Sequence, residues 1–195
     1  MAQIGDSALR VLSRCVSKYL FRIDLRQSIY RTIIMCGMKT LILGLGNPIL
    51  SDDGAGIYVA RALEGRVDPA EITVTEASVA GLNLLDLIVG YDRAIIIDAI
   101  QTRGGKVGQV YQLEPGAFGV IRHSMTSHDV NLSTALELGK RLGLVLPEIT
   151  IFAIEVEDVT SFSEECTPEV SEAVPVCVEM VLQALDGWPN SPPVS

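Results

Sequence analysis

The stretch LILGLGNPILSDDGAG, from Leu41 to Gly56, decides the fold class. Its first half is an apolar run that ends in a glycine turn, as at the first strand of an α/β nucleotide-binding protein. The turn then delivers two adjacent carboxylates, Asp52 and Asp53, at the start of a helical pattern. Carboxylates there would repel a pyrophosphate, and Ile49 takes the place of the third glycine of G-x-G-x-x-G. The stretch therefore predicts a strand, a turn and a helix without a dinucleotide.

Strand and helix patterns alternate along the rest of the chain from Lys39 onward. Strands are predicted at TLILGLG, EITVTEA, RAIIIDAI, GQVYQLE and EITIFAIEVE, and helices at DGAGIYVARALEGR, GLNLLDLIVGY, SHDVNLSTALELGKRLG and TPEVSEAVPVCVEMVLQAL, where Pro175 is a possible kink. Such alternation implies an α/β fold, a mostly parallel sheet covered by helices on both faces through right-handed crossovers.

The charge pattern divides the 195-residue chain. Residues 1–38 carry six basic and two acidic residues, whereas the remainder carries nine basic and 22 acidic ones. We predict a basic N-terminal extension at 1–37, one domain at 38–186 and a disordered Pro-rich tail at 187–195. The extension has helical spacing typical of a surface helix for a membrane or a partner. The favoured alternative is that translation begins at Met35 or Met38.

Composition excludes several classes of function. A net charge of −9 argues against nucleic acid as a ligand, because phosphate contacts need clustered Lys and Arg. No run of eighteen apolar residues occurs, so no membrane span is expected. The four cysteines form no C-x-x-C pair and have no adjacent histidine, which favours buried or incidental thiols in a reducing compartment such as the cytoplasm.

Polar residues with chemical potential follow the predicted strands. Asp52 and Asp53 follow the first strand, Asp98 ends the third, and His128 precedes the helix after the fourth. In a parallel sheet these positions meet at the carboxyl edge, where ligands bind. Each has a structural alternative: the acids could cap helices or turns, and His128 could be a solvated helix start. Together they suit a divalent transition metal with open coordination positions.

The motifs GLGNPILSDDGAG, ASVAGLNLL, AIIIDAI, SHDVNL and EVEDVTSFSEECTPEV carry a family resemblance. In this order and spacing the chain resembles the hydrogenase maturation endopeptidases, over about Met38 to Leu185. These enzymes trim the C-terminal extension from the large subunit of nickel–iron hydrogenases. The loop after the second strand reads EASVAG where the family more often has a G-G-T-x-G-like stretch, and the pattern near EVED also departs from the commonest version. Both departures leave the identity of the substrate hydrogenase open.

The resemblance implies a three-layer α/β/α sandwich and a site of three metal-contacting side chains. Carried over position by position, these are Asp53, Asp98 and His128, which would be both the catalytic and the metal-contacting residues. The implied metal is nickel already held by the hydrogenase precursor, so we expect no cofactor of the protein's own. Asp52 would then cap the helix or orient its neighbour. A cytoplasmic monomer acting on the large-subunit precursor is the expected form.

Two rival functions remain open at this point. Peptidyl-tRNA hydrolase shares the GLGNP opening, but ILSDDGAG follows it here and no histidine occurs before His123. A metal-sensing binding module would inspect the precursor without cutting it. The chemistry of cleavage also stays open, because no Ser or Cys pairs with a base in a recognisable nucleophile motif.

Overall fold

The computed structural model describes residues 38–78, 83–116 and 129–188, with the side chains of 129–133 left out. The strands are β1 (Thr40–Leu45), β2 (Ile72–Ala77), β3 (Arg93–Ile100), β4 (Val110–Leu113) and β5 (Glu148–Glu155). The helices are α1 (Ala55–Leu63), α2 (Asn83–Ile88), α3 (Asp129–Arg141) and α4 (Pro168–Gly187), and a 3-10 helix, Ser51–Gly54, precedes α1. No helix in these described ranges is long and apolar enough to cross a membrane.

The five strands form one sheet in the order β2-β1-β3-β5-β4. Strands β1, β2, β3 and β5 run parallel, with Thr40 opposite both Ile72 and Arg93, while β4 pairs antiparallel with β5. Both central strands, β1 and β3, are buried along their whole length, which explains their continuous apolar runs. The prediction of an α/β fold with a mostly parallel sheet is therefore confirmed.

Two apolar clusters cover the two faces of the sheet. One joins alternate residues of β1, β3 and β5 to α2 and α3, and the other joins the intervening residues to α1 and α4. In β3, Ile96 and Ile100 face α2 and α3, whereas Ile95 and Ile97 face α1 and α4. This alternation gives the three layers, because successive strand side chains point to opposite faces.

The C-terminal helix extends past its predicted end. Helix α4 continues through Pro175 and ends at Gly187, and the Trp188 ring then lies 5.0 Å from the guanidinium of the buried Arg93. Trp188 also packs on the α1–α4 cluster. Residues 189–195 and the predicted extension at 1–37 lie outside the described residues, and these domain boundaries stay predictions.

Candidate active site

A closed turn leads from β1 to the two predicted carboxylates. Gly46 has φ +136°, and a Cβ there would run into the Asp53 carbonyl, so only glycine lets the chain leave the strand so sharply. Two hydrogen bonds close the turn: the Asn47 N–H donates to the Asp53 carbonyl at 3.3 Å, and the Asp53 N–H donates to the Leu50 carbonyl at 3.0 Å. The glycine turn predicted from the sequence therefore fixes the backbone position of Asp53 relative to the end of β1.

Asp53 and Asp98 lie in elements that touch. Asp53 is in the 3-10 helix, which contacts β3, and Asp98 is in β3 itself. Gly56, three residues after Asp53, passes so close to the Ile97 and Leu45 carbonyls that a Cβ would overlap both. Asp53 is therefore three residues from this close contact along the helix, and Asp98 is one residue from it along β3. Their exposed fractions are 6% and 5%.

Asp98 is inside β3, not at its end as predicted. Pairing with β5 continues from Asp98 opposite Ala153 to Ile100 opposite Glu155, because β5 also runs on to Glu155. Asp98 shares the strand face of Ile96 and Ile100, the face that α2 and α3 cover. One of its carboxylate oxygens accepts the Ala99 N–H at 2.9 Å. The acid is thus a buried charged position that follows four apolar residues of the strand.

The third predicted ligand, His128, lies outside the described residues, as does His123. Helix α3 begins at the next residue, Asp129, in agreement with the predicted order of motif and helix. Among the described residues no three His, Cys, Asp or Glu side chains group closely enough to hold a metal ion. Asp53, Asp98 and His128 therefore stay a predicted set, of which the structure places the two acids.

Asp52 does not cap the helix that follows it. Neither the 3-10 helix nor α1 has a side-chain cap hydrogen bond. The Asp52 carboxylate, 0% exposed, instead accepts from the segment after β5. Its Oδ1 accepts the Thr167 N–H at 2.7 Å, and its Oδ2 accepts the N–H groups of Glu157 and Asp158 at 3.2 and 3.1 Å. The Thr167 hydroxyl lies 3.0 Å from Oδ1. Asp52 thus joins the first turn to the start of α4.

Further bonds hold residues 157–167, which we call the 157–167 loop, against the first turn. The Ser51 N–H donates to the Ser163 carbonyl at 2.9 Å, and the Ser163 N–H donates to the Ile49 carbonyl at 3.1 Å. The Tyr58 hydroxyl lies 2.6 Å from the Glu164 carbonyl and 2.9 Å from that of Pro48, and its one proton serves either. The sequence showed this loop only as an acidic motif, because its partners are more than a hundred residues away.

The described cysteines are poor nucleophiles. Burial, with a smaller contribution from the Asp52 carboxylate, raises the pKa of the Cys166 thiol to about 11. Burial alone raises the pKa of Cys177 to about 12. Both are free thiols. Because the thiolate is the reactive form, neither matches an activated catalytic cysteine at neutral pH.

A cavity of about 460 Å³ opens at the carboxyl ends of β3 and β5. Its lining includes Gln101, Arg103 and Glu157 as well as Glu155. Glu155 is buried and accepts the N–H and the hydroxyl of Thr102 at 2.6 and 3.0 Å. Its carboxylate fixes the loop after β3 beside the cavity. Sequence reasoning noted Glu155 only within EVED, since its partner Thr102 carries no motif.

A family profile and individual relatives of known name point to the same protein family. The profile of the family described as HycI, hydrogenase maturation protease, matches residues 57–184. The Hydrogenase 2 maturation protease of Escherichia coli is 27% identical over 150 residues, covering 76% of this chain and 91% of that protein. The hydrogenase expression/formation protein HupD of Rhizobium leguminosarum is 23% identical over 161 residues, covering 77% and 75%.

Solved structures agree with this match. The hydrogenase maturating endopeptidase HybD from Escherichia coli superposes with a TM-score of 0.69 at 26% identity, covering 76% of this chain and 93% of that one. The nickel–iron hydrogenase maturation protease HybD from Thermococcus kodakarensis superposes with a TM-score of 0.61 at 26% identity, covering 75% and 99%. The shared fold spans nearly all of both relatives.

Proposed function

This chain belongs to the hydrogenase maturation protease family and is a peptidase, and from that premise we propose that it removes the C-terminal extension of a nickel–iron hydrogenase large-subunit precursor after nickel insertion. The observation that carries the proposal is the burial of Asp53 and Asp98 in touching elements at the carboxyl side of the sheet. Ligands of open α/β sheets bind on that side.

The proposed role of Asp53, Asp98 and His128 is to contact the nickel that the precursor carries. Carboxylates with a restricted exposure to water favour the arrival of a cation, because opposite charge offsets their desolvation. Two carboxylates and an imidazole leave positions open for a metal that other ligands already hold. Nickel is then part of the substrate and serves as the signal that the precursor is ready. It can also polarise the scissile carbonyl or a water molecule.

Family membership removes the peptidyl-tRNA hydrolase alternative. The binding-module alternative differs from our proposal in one measurable respect, since a module would bind the precursor and leave its mass unchanged. We further propose that the protein acts in the cytoplasm and as a monomer. The free state of Cys166 and Cys177 is compatible with a reducing compartment.

The test is a processing assay with purified precursor in two forms, nickel-loaded and nickel-free, followed by mass spectrometry. We expect the loaded form to lose its C-terminal extension and the nickel-free form to keep it. In a second arm only the protease is treated with chelator, and the chelator is removed before loaded precursor is added. The rate should not change, because the metal belongs to the substrate.

Two results would contradict the proposal. A loaded precursor that binds but keeps its full mass would favour the binding module. Rapid cleavage of a precursor shown by elemental analysis to lack nickel would mean that the three side chains hold a metal of the protease itself.

A further inference from the structure

Two large apolar side chains stand in water beside the candidate active site. Phe162, in the 157–167 loop, is 85% exposed, and Ile49, in the first turn, is 47% exposed. The backbones of their segments are bonded directly, since the Ser163 N–H donates to the Ile49 carbonyl. Ile49 is four residues before Asp53 in the closed turn. Scattered exposed apolar residues are ordinary, but a joined pair at the edge of a site is typical of an interaction surface.

The backbone around Phe162 is held in place on both sides. Before it, Asp158 Oδ1 accepts the N–H groups of Thr160 and Ser161 at 3.1 and 2.9 Å. A hydrogen bond from the Ser161 hydroxyl, followed by these two N–H bonds, lowers the pKa of Asp158 to about 2. The carboxylate is therefore ionised at neutral pH and keeps these bonds. After it, the Ser163 hydroxyl accepts the Glu165 N–H at 3.0 Å. The loop therefore presents the ring to solvent in a preformed position.

Preorganisation matters because it lowers the cost of binding. An exposed aromatic ring on a free loop can fold back onto its own protein and must be ordered when a partner binds. A ring on a loop that hydrogen bonds already hold in place loses little further conformational entropy when the partner binds. Aromatic anchors that enter a partner's pocket commonly dominate the energy of an interface.

The chain that carries Phe162 is acidic. Residues 142–195 contain ten acidic residues and no Lys or Arg. Glu164 and Glu165 directly follow the Phe162–Ser163 step and are exposed. A partner that fits here has an apolar pocket or side chain bordered by Lys or Arg, because complementary charge favours association and like charge opposes it.

We propose that Phe162 and Ile49, with Glu164 and Glu165 beside them, form the docking surface for the hydrogenase large-subunit precursor. This inference rests on the proposed function for the identity of the partner. The surface binds an apolar feature of the precursor within a basic stretch and so delivers the polypeptide to Asp53 and Asp98. It contributes binding and takes no part in the chemistry of cleavage.

The first measurement is the Kd for nickel-free precursor, which binds without being cut under the proposed function. Phe162→Ser should weaken this binding roughly tenfold or more, the effect of truncating an anchor residue. Phe162→Leu should recover most of the affinity. The matched control is Val145→Ser, since Val145 is equally exposed, at 85%, but precedes β5 and so lies at the opposite end of the sheet. Its Kd should equal that of the parent chain.

The second measurement is processing of nickel-loaded precursor. Phe162→Ser should raise KM by a similar factor and leave kcat within about twofold. The lost contact stabilises the bound precursor and the transition state equally, so the chemical step is unchanged. The Glu164→Gln, Glu165→Gln double variant should reduce the salt dependence of the Kd, because screening acts on the charges that remain.

Three outcomes overturn the docking surface: an unchanged Kd for Phe162→Ser, no measurable binding of precursor by the parent chain, or a parent dimer that Phe162→Ser converts to monomer. The last would make the pair a contact between copies of this chain. Binding that depends on Phe162, together with no trimming of loaded precursor, would contradict the proposed function and leave the docking surface standing.

Discussion

Thr167 donates its backbone N–H to the carboxylate of Asp52, 115 residues earlier, at 2.7 Å. Thr167 is the residue before α4, and Asp52 precedes the candidate ligand Asp53. One buried carboxylate therefore ties the last helix to the first turn of the site. Of the two adjacent acids, Asp52 therefore binds the protein's own backbone, whereas Asp53 is the predicted metal contact.

Asp52→Asn should destabilise the fold. The carboxylate only accepts, and its two oxygens face donors from Glu157, Asp158 and Thr167. An amide has one oxygen, so its NH2 group must meet at least one of these donors in a buried place. We expect a loss of about 2 kcal/mol or more in the free energy of unfolding, measured by urea denaturation.

The control for that measurement is Asp158→Asn. Asp158 uses Oδ1 for its bonds to Thr160 and Ser161, and an amide oxygen can replace it. Asp158→Asn should therefore cost clearly less stability than Asp52→Asn. Equal stability of the two variants would contradict the structural role of Asp52 and restore simple helix capping, for which Asn serves as well as Asp.

Asp53→Asn and Asp98→Asn should each lower processing by at least about 10²-fold, as loss of one preorganised electrostatic group commonly does. The change keeps the volume of the side chain and removes its charge, so the proposed metal contact is lost while packing is kept. His128→Ala should have the same effect. His123→Ala is the control, because His123 is outside the SHDV motif, and it should keep its activity. Full processing by Asp98→Asn would contradict its place in the site.

The layers could be predicted from the sequence because continuous apolar runs indicate strands that are buried on both faces. The stretch RAIIIDAI is apolar on both faces of a strand, and β3 covers those same eight residues. Asp98 was expected at the strand end because an acid after four apolar residues suggests one, although the predicted strand RAIIIDAI itself runs past it. In the structure, pairing with β5 continues through Ala99 and Ile100, so Asp98 lies inside the strand that RAIIIDAI predicts.

Long-range polar contacts could not be predicted from the sequence for a related reason. Asp52 and Glu155 look alike as isolated acids, yet each is bonded to a segment far along the chain, at Thr167 and Thr102 respectively. Side-chain periodicity reports which residues are buried and carries no record of which donor meets which acceptor. The exposed Phe162 was missed because its apolar character predicts burial, whereas the bonded loop holds it in water.

Cys166→Ser should retain processing at neutral pH. The raised pKa of about 11 keeps the Cys166 thiol protonated, so it does not supply a nucleophile. Iodoacetamide should modify Cys166 in the folded protein more slowly than in urea. Stability should also fall as the pH rises from about 9 toward 11, because the unfolded chain releases this proton first. Cys166→Ser should reduce that decline and leave the part that comes from Cys177, and loss of processing in this variant would revive a cysteine mechanism.

A chain that starts at Met38 should fold and process precursor as the full chain does. The sequence motivates this by its change from a basic to an acidic balance at that point. Circular dichroism and the processing assay measure both properties. Loss of folding in the shorter chain would show that the basic segment is part of the domain.

Gly56→Ala should lower both stability and processing. Alanine is the better helix former by about 1 kcal/mol, so helix propensity alone predicts a gain. The new Cβ, however, would overlap the backbone carbonyls of Ile97 and Leu45, and neither can move without shifting a central strand. We expect a net loss of about 1–3 kcal/mol, as for other overpacked positions. Displacement of α1 would also shift the 3-10 helix that contains Asp53.

Gly187→Ala is the matched control for this change. Gly187 is also a helical glycine, but a Cβ there meets nothing within 4 Å. Its urea midpoint should stay the same or rise, and its processing rate should not change. If Gly56→Ala matched Gly187→Ala in both measurements, the close approach of α1 to β1 and β3 would not be needed for stability or for processing. If Gly56→Ala lost stability but processed normally, the position of Asp53 would be independent of that contact.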